Sequence, residues 1–276
     1  MTAAVESARQ GSRSQGHAFG TAFGAEATAL ARRGGLRLWW IVSAAVAFGW
    51  TMLFLLVAGL ARTEDGLATV AAVGGIGPVV VMVLMGIATA AHVAREIGDG
   101  TMVSARVVQP RPAVLYAAKA LALAVTVTAL GIVMGVVGVV AALLSFVVEA
   151  SAWWEVVLTL LLTALVTGLT ICFVYGLSII VKRGALIVAV GLAVFVIAPL
   201  LAAIGGVFLA PPWNGLVATL GDALPGTLVV YASTIPEPGV STWTTLGLSL
   251  GGLVLWTAAA TFGGLLTMRK SGFGEP

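Results

Sequence analysis

The residues of this chain whose types could do chemistry crowd into one stretch, Arg95 to Lys119. It reads Arg95-Glu96-Ile97-Gly98-Asp99-Gly100-Thr101, then Arg106, then Pro110-Arg111-Pro112, then Lys119. Four basic groups, two acidic groups and two prolines fall there, in a chain only 9% charged. Such a set supports recognition: charge-assisted contacts to a partner, on a backbone shaped by glycine and proline. It offers no catalytic constellation. The chain has no HExxH, no GxxxxGK[ST] phosphate loop and no Cys/His cluster at metal-binding spacing. His17 lies in a polar N-terminal stretch. His92 stands one helical turn before Glu96, where a local polar contact is expected. Cys172 is the only cysteine and reads as a small packing group.

The elements that must carry these residues are membrane helices. The chain is 60% hydrophobic with a mean hydropathy of +1.10, whereas a soluble domain carries about a quarter charged residues. Six apolar runs are long enough to span a bilayer: Trp39–Leu60, Gly77–Arg95, Ala120–Val147, Trp154–Val181, Gly184–Val207 and Trp243–Met268. Lipid satisfies no backbone polar group, and continuous apolar runs exclude the alternation of a barrel strand. The predicted fold class is therefore all-α: a polytopic membrane protein with six transmembrane helices. Residues 1–18 and 271–276 are expected to be polar tails around a six-span domain over 19–270. The net charge of +3 is too small to suggest nucleic acid as a partner.

Basic residues set orientation. Arg9, Arg13, Arg32, Arg33 and Arg37 precede the first span. Arg95, Arg106, Arg111 and Lys119 lie between spans two and three. Lys182-Arg183 joins spans four and five, and Arg269-Lys270 follows span six. Of the 14 basic residues only Arg62 falls on the other face, beside acidic Glu64, Asp65, Glu149, Glu155, Asp222 and Glu237. Both termini are thus expected in the cytoplasm, with the chain a multi-pass protein of the cell membrane. Trp39-Trp40, Trp153-Trp154 and Trp243 open spans at the two interfaces, as membrane tryptophans do.

Two short helices are expected at the inner face. Phe19, Phe23, Ala27 and Leu30 share one side of an N-terminal segment that also holds Glu26, as in a helix lying in the headgroup plane or extending the first span. Met102 to Val108 supplies one or two turns between spans two and three, with Thr101 after Gly100 as its cap and Pro110-Arg111-Pro112 as its stop. Pro199 is expected to kink span five. The apolar Trp213–Leu224 is too short to cross and reads as interfacial or re-entrant. Gly131/Gly135 and Gly247/Gly251 have helix-packing spacing. The span centres hold no ionisable residue, which argues against a proton- or sodium-driven carrier.

The order Glu96, Gly100-Thr101, Arg106, Pro110-Arg111, Leu115, Lys119-Ala120 resembles the inner loop of ABC type 2 transporter permeases, in their short six-span bacterial form. The Glu26-bearing helix before Trp39-Trp40 and the closing Arg269-Lys270 are similar too, so the resemblance runs from about Phe19 to Lys270. The sequence departs at Pro112, where a second basic residue is common, and in lacking a lysine after Glu26. The resemblance implies an exporter of drugs, peptides or lipid-like cargo. Two permease subunits, identical or related, would pair with two cytoplasmic ATPase subunits, and ATP and Mg would bind in the ATPases alone. Glu96, Gly100, Thr101, Arg106, Pro110, Arg111 and Lys119 would convey ATPase motion to the spans through a short cytoplasmic coupling helix, with Glu96 and the arginines as docking contacts. Phe19, Phe23, Glu26 and Leu30 would form the interfacial helix. A secondary carrier or passive channel, and a non-transporting anchor or sensor subunit, stay open as alternatives.

Overall fold

The computed structural model describes residues 18–32, 34–60, 66–109, 111–144, 153–208, 211–233 and 242–270. Among them every regular element is helical. A helix over 18–32 (α1) precedes α2 (Gly34–Leu60), α3 (Gly66–Gly98), α4 (Thr101–Val108), α5 (Pro112–Leu143) and α6 (Trp153–Val181). Then come α7 (Gly184–Leu192), a π-helical segment (Ala193–Ile197), α8 (Ala198–Phe208), α9 (Trp213–Asp222), α10 (Pro225–Ser233) and α11 (Trp243–Lys270). Six helical stretches are long and apolar enough to cross a membrane, and the chain is a multi-pass membrane protein. The expected tails, Arg33, Arg62, Pro110 and Glu237 lie outside the described residues.

Helices α3, α5 and α6 form the centre. α2 leans on α3 and α5, and α11 on α6. The largest apolar cluster sits at one end, where Leu30 of α1, Met102 of α4, Leu115 of α5, Ile179 of α6 and Met268 of α11 are all buried. The described basic residues lie near these positions in the chain, so this is the basic end of the bundle. Val139, Ala142 and Val156 close the opposite end.

Close helix approach depends on missing side chains. A Cβ on Gly77 would lie 3.2 Å from the Met134 carbonyl oxygen, and Pro78 sits against Gly131. Gly131 thus serves α3–α5 packing within the chain. The second span runs Gly75–Gly98, close to the expected Gly77–Arg95, and α3 extends before it to Gly66 with Pro78 accommodated inside the helix at this contact. Neighbouring helices commonly stabilise membrane prolines in this way. Gly247 and Gly251 differ, since nothing lies within 4 Å of a Cβ at either. Alanine at these two positions is expected to hold or raise the melting temperature in detergent, by up to ~1 kcal/mol each from helix propensity. A clear fall would instead place a packed partner on that face.

Span five departs from a simple proline kink. The irregularity is the π segment, one turn before Pro199. Proline removes the donor that the carbonyl four residues earlier would use, and its ring crowds that carbonyl. The carbonyl is that of Phe195, and widening to a π turn relieves it. Gly226 opens α10 directly against the Phe195 carbonyl, with no room for a Cβ. α9 and α10 meet at 65°. Trp256 of α11 donates from Nε1 to the Ala223 carbonyl at that break, at 3.0 Å. α10 then buries Leu228, Val229 and Ala232 against Met82, Val166 and Leu253.

Hydroxyl groups inside the spans bond to carbonyls one turn back, as Thr163 does to Thr159 and Thr167 to Thr163, both at 2.7 Å. Thr257 instead crosses from α11 to the Leu169 carbonyl of α6 at 3.2 Å.

Candidate functional site

The site at the basic end is built from three elements that the sequence places far apart. α3 brings His92 and Glu96 onto one face at i, i+4 spacing, with Nε2 to Oε1 at 3.5 Å. α5 carries Lys119 about 10 Å along its axis from Pro112, at 1.5 Å per residue. α1 carries Glu26, held down by Leu30, which is buried in the main cluster. Lys119 Nζ donates to Glu96 Oε2 at 3.1 Å and lies 3.0 Å from Glu26 Oε1. Glu96 and Lys119 are only 4% and 5% exposed.

One ammonium therefore bridges two carboxylates from two other helices. Removing charges from water is expensive, and an ammonium with both carboxylates in contact offsets much of that cost. Tyr175 of α6 closes the far side. It is fully buried, its ring meets Tyr116 edge-on at 5.1 Å, and its hydroxyl has no hydrogen-bond partner among the described residues. The space left among these side chains is about 10 Å³, at the limit for one water. Cargo does not fit. The cluster is an ionic tie between helices, not a binding pocket.

The connection from α3 to α5 is equally specific. Gly100 takes a left-handed conformation, φ 70, that glycine adopts without strain. Its carbonyl accepts from the Val103 and Ser104 amides and starts α4. Thr101 was expected to cap α4, but it is the first helical residue and its hydroxyl donates to the Glu96 carbonyl at 3.1 Å. That bond ties the start of α4 to the end of α3. Met102 is 0% exposed and anchors α4 in the main cluster. Val107 and Val108 point away, 80% and 86% exposed. Arg106 is half-buried, and Arg111 is exposed just before α5. Pro112 occupies the first turn of α5, where its missing amide costs nothing.

Glu96, Lys119 and Glu26 are thus brought together, with Thr101 attached through the Glu96 backbone. Arg106 and Arg111 stand apart from this cluster, and Pro110 is outside the described residues. Glu96 is corrected as a docking contact: it is buried on Lys119 and faces the protein interior. Phe19 and Phe23 stack at 6.2 Å on the same helix as Glu26. Tyr175, Met102 and the two valines carried no sequence signal beyond apolarity.

Gly247-Leu248-Ser249-Leu250-Gly251 spells G-x-S-x-G, but Ser249 is buried inside a continuous helix, without the strand-to-helix turn a nucleophile needs. Among the described residues no three His, Cys, Asp or Glu side chains converge as metal ligands. No protein-family model matches the sequence, and no curated protein is a significant match.

Proposed function

We propose that this chain is the membrane-spanning permease subunit of an ATP-driven exporter of the ABC type 2 class, moving a drug, peptide or lipid-like molecule out of the cell. The observation that carries the reading is α4. A short helix at the basic end is rooted by Met102, tied to α3 through Thr101, and presents Val107 and Val108 outward, with Arg111 exposed at the start of α5. Apolar side chains so exposed beside a basic group suit a protein partner. In this reading the partner is a cytoplasmic ATPase, two copies of which bind ATP and Mg, with a second permease subunit completing the pore. The basic end faces the cytoplasm. A push on α4 is passed to α3 and α5, because the Glu96–Lys119–Glu26 tie keeps these helices and α1 from sliding independently.

The test is co-purification with P-loop ATPases of the same genome. A complex is expected with one of them, and Val107→Asp/Val108→Asp is expected to abolish it. These exposed changes should move the chain's own stability by less than ~0.5 kcal/mol. An unaffected complex would remove α4 from the docking role. The buried tie gives the secondary-carrier reading its one foothold, since intramembrane ionisable groups can relay protons. That reading requires flux in vesicles with neither ATP nor a partner.

A further inference from the structure

A partly open apolar cavity lies away from the ionic tie, between α3, α6 and α7. It measures about 270 Å³ and is lined by Gly86 and Ala90 of α3, Val174 and Leu177 of α6, and Ile187 and Gly191 of α7, among others. Its lining is apolar except for Thr170. An apolar cavity of ~150 Å³ already takes up benzene, so this one is sized for a larger hydrocarbon.

Its position is informative. Ile187 is one helical turn from the α6–α7 turn, its amide bonded to the Arg183 carbonyl at 3.0 Å. Phe195 marks the far end. At 1.5 Å per residue the cavity runs from about 6 to about 18 Å beyond the turn. That matches half of a hydrocarbon core ~30 Å thick. The cavity therefore spans the acyl region of one leaflet, the one at the basic end. The span that walls it is loosely held: only 6% of the Ala185–Ala202 window is buried.

The turn itself carries a second observation. Lys182 and Arg183 are both exposed. Lys182 has φ 61, the left-handed region that disfavours a residue with a side chain. Gly184 stands two positions later. A turn needed only to reverse the chain, or to mark the inner face with charge, would be easier with glycine at 182 and lysine at 184. The turn carries two exposed basic side chains one helical turn from Ile187, where the cavity lining on α7 begins.

We propose that this cavity, together with Lys182 and Arg183 at the adjoining α6–α7 turn, binds one anionic phospholipid from the leaflet at the basic end. One acyl chain fills the space between α3, α6 and α7, and the phosphate sits on the two basic side chains. Basic groups over a cleft between membrane helices are a known setting for acidic headgroups. The lipid supplies α7 with the packing surface that the protein lacks. This site does not depend on the exporter reading.

The experiment is native mass spectrometry of the purified full chain in neutral detergent, titrated with phosphatidylglycerol or phosphatidylcholine of identical acyl chains. One phosphatidylglycerol per chain is expected to bind, about thirtyfold more tightly than phosphatidylcholine, as two basic groups at a surface allow. Lys182→Gln/Arg183→Gln should erase the preference. Arg269→Gln/Lys270→Gln, an equal loss of charge at the same end, should leave it intact. Gly191→Phe, which fills the cavity, should weaken both lipids. Lys182→Gly separates binding from folding: it relieves the left-handed strain, so the melting temperature should hold or rise while lipid preference falls. Equal binding of the two lipids would overturn the proposal. So would equal effects of the two double variants, undiminished binding in Gly191→Phe, or competition by free glycerol phosphate as effective as by the lipid.

Discussion

Lys119→Met is expected to cost the bundle about 3–5 kcal/mol, the usual penalty for breaking a buried pair by removing one partner. The reason is local. Glu96 is 4% exposed and Glu26 shares the same ammonium at 3.0 Å. Without Lys119 two carboxylates would face each other across a space of about 10 Å³, with His92 as the nearest compensating group. The melting temperature in detergent should fall by on the order of 10 °C, or the chain should fail to accumulate. Glu26→Leu/Glu96→Leu/Lys119→Met should restore most of the lost stability, because apolar replacement of a whole buried ion cluster is often neutral or stabilising. The rescued protein would then separate two roles. If the tie transmits force, the triple variant folds but loses ATP-dependent activity. If Lys119→Met melts like the wild type, the cluster contributes nothing to holding α1, α3 and α5 together.

Gly176→Val is the second large effect. A Cβ at this position would lie 2.6 Å from the Ala260 carbonyl oxygen and 2.9 Å from the Tyr116 hydroxyl. The first obstacle is backbone, so no rotamer change relieves it. Across the interface, a Cβ on Gly264 would meet the Gly176 oxygen at 3.2 Å. The two glycines let α6 and α11 approach closely, and that contact is most of what α11 has, since only 22% of its best span window is buried. Overpacking of this kind costs typically 1–3 kcal/mol, and a clash with backbone belongs at the upper end. Thermal unfolding in detergent should show Gly176→Val well below wild type, with Gly176→Ala between them and Gly247→Ala at or above wild type. Equal melting of Gly176→Val and Gly247→Ala would mean that α6 and α11 do not meet as described.

The membrane spans were legible in the sequence because each needs only a long apolar run, and backbone hydrogen bonding in lipid permits only a helix there. Features set by a neighbour were not legible. The Pro199 irregularity moves to the π segment because the crowded carbonyl belongs to Phe195, beside which Gly226 packs. Thr101 has the right type and place to cap α4, yet its hydroxyl turns back to Glu96. Composition alone could not separate the buried members of the charged stretch from its exposed ones. Lys119 finds Glu96 at a separation of 23 residues and Glu26 at 93. No periodicity announces such pairs. Nor does sequence alone distinguish the methionine that anchors α4 from the two valines left exposed; burial of Met102 decides that.

The central claim is that a separate ATPase grips this chain at α4. Placing a photo-crosslinking amino acid at Val108, and in a control at Phe262, exposed within the membrane span α11, tests it in cells that co-express the ATPase. The account predicts an ATPase adduct at Val108 that strengthens with ATP, and none at Phe262. Absence of any adduct at Val108, together with cargo flux by the purified chain driven by an ion gradient alone, would contradict it.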